Sequence, residues 1–188
     1  YATRRGRGLA GCLRRREQRA VLDLLLAGSG EWVLDVGCGD GAVGAELVDR
    51  GACVVAVDLV PAMAGSARRR GAKPVVADMN ALCFRPRFDW VAWIGSSEFA
   101  DRLDAAVQGV AAALRPGGSL VMLFPRRNWL GMALVLHHRF GGVSMRLRSR
   151  RAVAGALIDG GFEPAQAWRR CAAAWVCRAR RADDEPGS

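Results

Sequence analysis

Lysine, histidine and tyrosine are scarce in this sequence. Lys73 is the only lysine among 28 basic residues, the two histidines are adjacent (His137, His138), and there is a single tyrosine. Because the other basic residues are all arginine, the net charge of +10 reads as a composition bias of the kind a GC-rich genome imposes as much as a binding surface. The arginines are spread along the chain, and no aromatic-interleaved or RNA-module motif accompanies them. A nucleic-acid partner is therefore the second reading, not the first. The six cysteines (Cys12, Cys38, Cys53, Cys83, Cys171, Cys177) form no Cys-x-x-Cys pair and no metal-ligand spacing with the histidines. No metal site is expected, and the cysteines read as reduced thiols of a cytoplasmic protein. No apolar run approaches the roughly 18 residues that span a membrane. The short apolar segment 9–13 is flanked by arginines and does not read as a signal peptide. No internal repeat is present.

What the sequence does have is apolar residues, at 51% of 188, which suffices for one domain with a substantial core. The chain is organised around residues 33–44, Val-Leu-Asp-Val-Gly-Cys-Gly-Asp-Gly-Ala-Val-Gly. An apolar strand runs into a turn with glycines at Gly37, Gly39 and Gly41, and a helix follows. Glycines at alternate positions allow a tight turn and close approach of backbone to a ligand. Gly39, Gly41 and Gly44 satisfy G-x-G-x-x-G, and Asp58 lies at a suitable distance for a ribose-binding acid, so a dinucleotide is one reading. Asp35 opposes it. A carboxylate at the end of the first strand repels a pyrophosphate and attracts an ammonium or sulfonium.

The rest of the chain alternates strands and helices. A helix is expected at 13–27, then strands at 32–36, 53–57, 74–77, 88–94 and 119–124. Helices are expected at 42–50, 61–70, 99–114 and 150–159, with a single turn at 80–84. Strands buried on both faces imply a parallel sheet covered by helices, a Rossmann-like doubly wound α/β fold. Segments 162–169 and 172–178 are closely spaced and read as an antiparallel pair at one edge. The first three strands end near Asp35, Asp58 and Asp78, which would line one cleft with carboxylates. That suits a ligand with an amine-bearing base, a ribose diol and a cationic centre.

Together these features resemble the class I S-adenosylmethionine-dependent methyltransferases. Val33 to Gly41 resembles the first motif of that family, and the second strand with Asp58 resembles its ribose-binding acid. Ala77-Asp78-Met79 resembles its adenine segment, Phe88-Asp89-Trp90-Val91 its fourth strand, and Leu114-Arg115-Pro116-Gly117-Gly118 the loop before its fifth. The resemblance implies seven strands, the last antiparallel and inserted between the fifth and sixth, with helices on both faces. It implies S-adenosylmethionine as cofactor, with Asp35, Gly37, Cys38 and Gly39 at its methionine part. Asp58 would take its ribose, Leu59, Asp78 and Met79 its adenine, and Ile94 and Gly95 would border the reacting methyl.

A general base is needed only where the acceptor must lose a proton. Glu98, His137 and His138 are the candidates, and each also reads plainly as a surface or capping residue. The expected domain covers residues 1–181, with a helical segment at 1–30, a substrate-side insertion at 125–151, and a disordered tail at 182–188. Trp129, Leu130, Met132, Leu134 and Leu136 in that insertion suit an aromatic or isoprenoid small-molecule acceptor, with Arg126 or Arg127 meeting an acidic group on it. The stretch Ile94-Gly95-Ser96-Ser97-Glu98-Phe99 lacks the Asn-Pro-Pro-Tyr-type segment of methylases that act on amino groups of bases and glutamine. An RNA or protein methyltransferase, and a non-catalytic binding protein of the same fold, are the alternatives.

Overall fold

The computed structural model describes residues 9–140 and 144–183. Its strands are β1 (Trp32–Val36), β2 (Cys53–Asp58), β3 (Lys73–Val76), β4 (Phe88–Ile94), β5 (Leu114–Pro125), β6 (Ala167–Arg170) and β7 (Ala174–Arg180). Its helices are α1 (Leu9–Leu22), α2 (Ala42–Asp49), α3 (Pro61–Arg69), α4 (Leu103–Ala113), α5 (Trp129–Phe140) and α6 (Arg150–Asp159). Two short 3-10 turns lie at Met79–Ala81 and Ser97–Phe99. The seven strands form one sheet in the order β3-β2-β1-β4-β5-β7-β6. β1 to β5 pair in parallel, and β7 lies antiparallel between β5 and β6, as the resemblance implied.

Strand alternation divides the interior into two cores. On one face Val33, Val54, Ala56, Trp90, Val121 and Val176 pack with Val21 of α1, Leu47 of α2 and Ala67 of α3. On the other, Leu34, Val36, Val91, Trp93, Leu120 and Met122 pack with Val107 and Val110 of α4 and Val153 and Leu157 of α6. Both sheet faces are covered, so the strands are near-continuous apolar runs. The carboxyl ends of the parallel strands are left as one open edge, where ligands of such sheets bind.

Several boundaries differ from the sequence expectation for identifiable reasons. The first helix ends at Leu22, because the next N–H groups fold into a tighter turn (Leu24 to Val21 O at 3.0 Å) and Arg50 caps the carbonyls of Leu22 and Leu25. α4 starts at Leu103, not residue 99, because the chain first makes the Ser97–Phe99 turn and Asp101 N–H is drawn to Asn80 Oδ1 at 2.9 Å. Arg115 to Gly118 is an irregularity inside β5, not a turn before it. Leu114 faces Phe88 and Ser119 faces Trp90, so the extra residues bulge where Gly117 takes φ +72°. β6 is shorter than expected, and Phe162 joins the sheet edge through an isolated bridge to Arg181. Ala182 and Asp183, expected to open a disordered tail, are anchored. Ala182 N–H donates to Gly161 O at 3.0 Å and Asp183 pairs with Arg180 at 2.9 Å. Residues 184–188 lie outside the described part.

Leu34 is fully buried in the strand that carries the glycine turn. Replacing it with alanine is expected to cost about 2–5 kcal/mol of unfolding free energy in a denaturant titration, without changing the sheet signature in circular dichroism.

Candidate functional site

The site is built on the turn between β1 and α2. Gly37, Gly39 and Gly41 have φ of 67°, 54° and 75°, a left-handed run that side chains disfavour. At Gly37 the reason is also contact. A Cβ there would lie 2.4 Å from Cβ and Oγ of Ser96 and 3.5 Å from Met79 Cε. The turn is thus seated on the residues that follow β4 and β3. At Gly39 a Cβ would meet nothing within 4 Å, so this residue faces open space.

Four donors of the turn are already occupied. Cys38 N–H donates to Val57 O and Gly41 N–H to Cys38 O, both at 2.9 Å. Gly39 N–H donates to Asp58 Oδ2 at 2.9 Å and Ala42 N–H to Asp40 Oδ1 at 3.3 Å. A phosphate cradle needs free N–H groups at a helix N-terminus. Here the N–H groups of Cys38, Gly39, Gly41 and Ala42 are bonded within the chain and carboxylates lie beside them, which disfavours the dinucleotide reading.

Asp58 ends β2 and is partly exposed. Each of its oxygens accepts one backbone N–H, Oδ1 from Val60 and Oδ2 from Gly39, both at 2.9 Å. A carboxylate oxygen accepts twice, so each retains a lone pair for a hydroxyl donor. Leu59 and Val60 beside it are exposed apolar residues. Asp78 lies two residues beyond β3, as the cap of the Met79–Ala81 turn. Its Oδ1 accepts both the backbone and side-chain N–H of Asn80 at 2.8 Å.

Asp35 is not at the end of its strand. It sits inside β1 opposite Ala56 and Ala92, 2% exposed, on the face covered by α2. Its Oδ2 is buried without a hydrogen-bond partner and lies 3.2 Å from where a Cβ on Gly44 would be. The glycine at position 44 therefore makes room for this carboxylate beneath the first turn of α2. Burial, then the charges of Asp58 and Asp40, push Asp35 up to about 7. The Cys38 thiol is pushed up to about 12 by burial and then by Asp35 and Asp58, which leaves it a neutral thiol.

Ile94 closes β4, and Gly95 turns the chain with φ +65° while donating its N–H to Leu123 O at 3.0 Å. Ser96 then donates its buried hydroxyl to Val36 O at 2.8 Å, tying this turn to the first strand. Glu98 follows in the Ser97–Phe99 turn, 5% exposed, with Oε2 buried and unpartnered. Burial pushes it up to about 7, against smaller opposing effects of its own backbone N–H and of Arg148. His137 and His138 are on α5, and their side chains lie outside what the structure describes. The structure thus brings Gly37, Met79 and Ser96 into one contact set and ties Gly39 to Asp58.

Sequence reasoning missed Ser96, Asn80 and Arg148. Asn80 links Asp78 to Asp101, and its spacing from Asp78 was the available signal of an Asx-type cap. Among the described residues no group of three His, Cys, Asp or Glu is placed to hold a metal, and no helix is long and apolar enough to cross a membrane. A groove of about 610 Å³ between α1 and α2, lined by Arg15, Arg16, Arg19 and Arg50 among others, contains none of the residues above.

The strand order, with an antiparallel seventh strand and a glycine turn after the first, defines a Rossmann-like class I methyltransferase fold. Residues 33–118, just under half of the chain, match the family model described as a methyltransferase domain. A ubiquinone biosynthesis O-methyltransferase of Xylella fastidiosa is 37% identical over 100 residues, 49% of this chain and 41% of that protein. The match thus spans about two fifths of the relative's length. Among solved structures, an S-adenosylmethionine-dependent methyltransferase from Mesorhizobium loti superposes with TM-score 0.77 at 22% identity, over 93% of this chain and 100% of that one. A geranyl diphosphate methyltransferase in complex with geranyl diphosphate and sinefungin gives 0.78 at 18%, over 92% and 79%.

The two buried acids predict the pH dependence of stability. Both take up protons more readily folded than unfolded, so the stability they contribute is full below their unfolded values and lost as pH rises through about 7. The melting temperature of Glu98→Gln minus that of wild type is expected to grow as pH is raised from acid to above 7. A difference independent of pH would mean that Glu98 titrates normally.

Proposed function

We propose that this domain transfers the methyl group of S-adenosylmethionine to a small-molecule acceptor carrying an aromatic or isoprenoid part. The observation that carries this reading is the set of carboxylates, Asp35, Asp40 and Asp58, around a glycine turn four of whose N–H groups are already bonded within the chain. Such a site favours a cation and a diol and disfavours a pyrophosphate. S-adenosylmethionine supplies a methyl on a sulfonium, activated before any residue acts on it. The orphaned Oδ2 of Asp35 and the open face over Gly39 fit its ammonium-bearing end.

On this reading Asp58 accepts both ribose hydroxyls on the lone pairs left by Val60 and Gly39. Leu59 covers one face of the adenine, Asp78 accepts its amine, and Met79 borders the ring. Gly37, Cys38 and Gly39 pass along the methionine part, and Asp35 acts by charge from beneath the turn. Ile94 and Gly95 border the methyl. The chain then works by holding acceptor and methyl in line. Where the acceptor must lose a proton, Glu98 is the favoured base, since its dry carboxyl sits just past β4 and titrates near neutrality. His137 and His138 remain candidates on α5.

The segment 125–151 supports the acceptor class. Trp129, Met132 and Leu136 are exposed at 76%, 59% and 55% and fall on one helical stripe, in the segment that follows the carboxyl end of β5. Arg126 is held by the carbonyls of Cys171 and Ala172, which leaves exposed Arg127 to meet an acidic group. The names of the ubiquinone-biosynthesis and geranyl diphosphate relatives point the same way. A single domain over 1–181 working in the cytoplasm completes the reading, supported by six free cysteines and the absence of a membrane-crossing helix among the described residues.

Methyl-labelled S-adenosylmethionine incubated with catechols and prenylated phenols tests the activity. Label is expected in the organic extract, and label in added RNA instead would favour the RNA reading. In calorimetry, Asp58→Ala is expected to weaken S-adenosylhomocysteine binding by about tenfold or more, about 1.4 kcal/mol. Because a cation favours the ionised form of Asp35, affinity for S-adenosylmethionine is expected to rise with pH through about 7, with proton release that Asp35→Asn abolishes.

A further inference from the structure

The turn after β4 is held from two sides. On one side Ser96 seats it against Gly37 and bonds Val36 O at 2.8 Å. On the other, the segment 144–149 crosses it as a strap. Arg146 N–H donates to Glu98 O at 2.9 Å. Arg148 donates from Nη1 to Ser97 O at 2.8 Å and from Nη2 to Ala100 O at 2.7 Å. Met145 is buried next to these donors in sequence, and Arg146 closes the strap outside by pairing with Asp101 at 2.8 Å. Carbonyls before, at and after Glu98 are therefore all capped from the strap. Among the described residues the charge that acts on Glu98 is Arg148, whose guanidinium bonds carbonyls and no carboxylate, while the nearby Arg146–Asp101 pair is mutually satisfied.

We infer that Arg148 is the positioning residue for Glu98: its guanidinium bridges the Ser97 and Ala100 carbonyls as a clamp, and that clamp keeps the Glu98 carboxyl dry, with Oε2 unpartnered, past the carboxyl end of β4. The two carbonyls are three residues apart in sequence, and a planar guanidinium reaches them from two separate nitrogens, where an ammonium would have to reach both from one. The importance of Glu98 for the acceptor rests on the proposed function. The clamp itself does not.

Arg148 acts on Glu98 in two ways that oppose each other. As a cation it favours the carboxylate, so its removal would raise the carboxyl midpoint. As a clamp it excludes water, so its removal lets water in and lowers the midpoint. The test is a carbon NMR titration of the full chain labelled at glutamate carboxyls, with Glu98→Gln assigning the resonance. In Arg148→Met the midpoint is expected to fall from about 7 toward the ordinary 4.5. Arg148→Lys, which keeps the charge but not the fork, is expected to fall as well, and decides the matter if Arg148→Met does not fold. A midpoint that rises in Arg148→Met, or that stays at the wild-type value in Arg148→Lys, overturns the clamp. S-adenosylhomocysteine binding, measured alongside, is expected to be unchanged in both variants, because the cofactor side is fixed through Ser96 and Asp58. Loss of that binding in either variant also overturns the inference. Wild-type protein that fails to bind it would overturn the proposed function, and the titration would still decide the clamp.

Discussion

The carboxyl edge of this sheet depends on one hydrogen bond, Gly39 N–H to Asp58 Oδ2 at 2.9 Å. It joins the glycine turn of β1 to the end of β2 and fixes the carboxylate beside the turn. It also takes up one donor that a phosphate would use. The left-handed glycines allow the turn to reach Asp58, and the seat of Gly37 on Ser96 fixes its height above β4. A site of this kind is selective by what it withholds. Four of its N–H groups are satisfied from within, and what surrounds a ligand there is negative charge and lone pairs.

That selectivity has a cost in stability. Asp35 and Glu98 are buried without a full set of partners, and each holds its proton to about neutral pH because a charge there is poorly solvated. Neither burial helps the fold. Perturbed buried carboxyls cluster at functional sites, and these two lie in and just past neighbouring strands, β1 and β4. The two differ in surroundings. Asp35 is raised by burial and by other carboxylates, and a bound cation would relieve it. Glu98 is raised by burial alone, and its nearest cation is directed at backbone carbonyls instead.

Much of the fold was legible locally. β1, β4 and α6 have the boundaries read from the sequence, because apolar runs there meet glycine or a serine cap. The place of β7 between β5 and β6 came from the family resemblance, since nothing local orders strands across a sheet. Features set by distant partners were not legible. The bulge at Arg115 to Gly118 follows from pairing with β4, and the late start of α4 from a bond between residues 21 apart. Asp35 was recognised, but its direction follows from how α2 packs over Gly44. Arg148 reaches Ser97 across 51 residues, and one arginine among so many carries no local mark.

The central claim is that the site selects a cationic, diol-bearing ligand over a dinucleotide. The most direct measurement is a thermal-shift titration with S-adenosylmethionine, S-adenosylhomocysteine and NAD side by side. A ligand at about a hundredfold its dissociation constant stabilises by roughly 2.7 kcal/mol. For a domain of this size that is on the order of 5–10 °C. The account predicts such a shift with the two adenosyl compounds and none with NAD. A shift with NAD alone would contradict it.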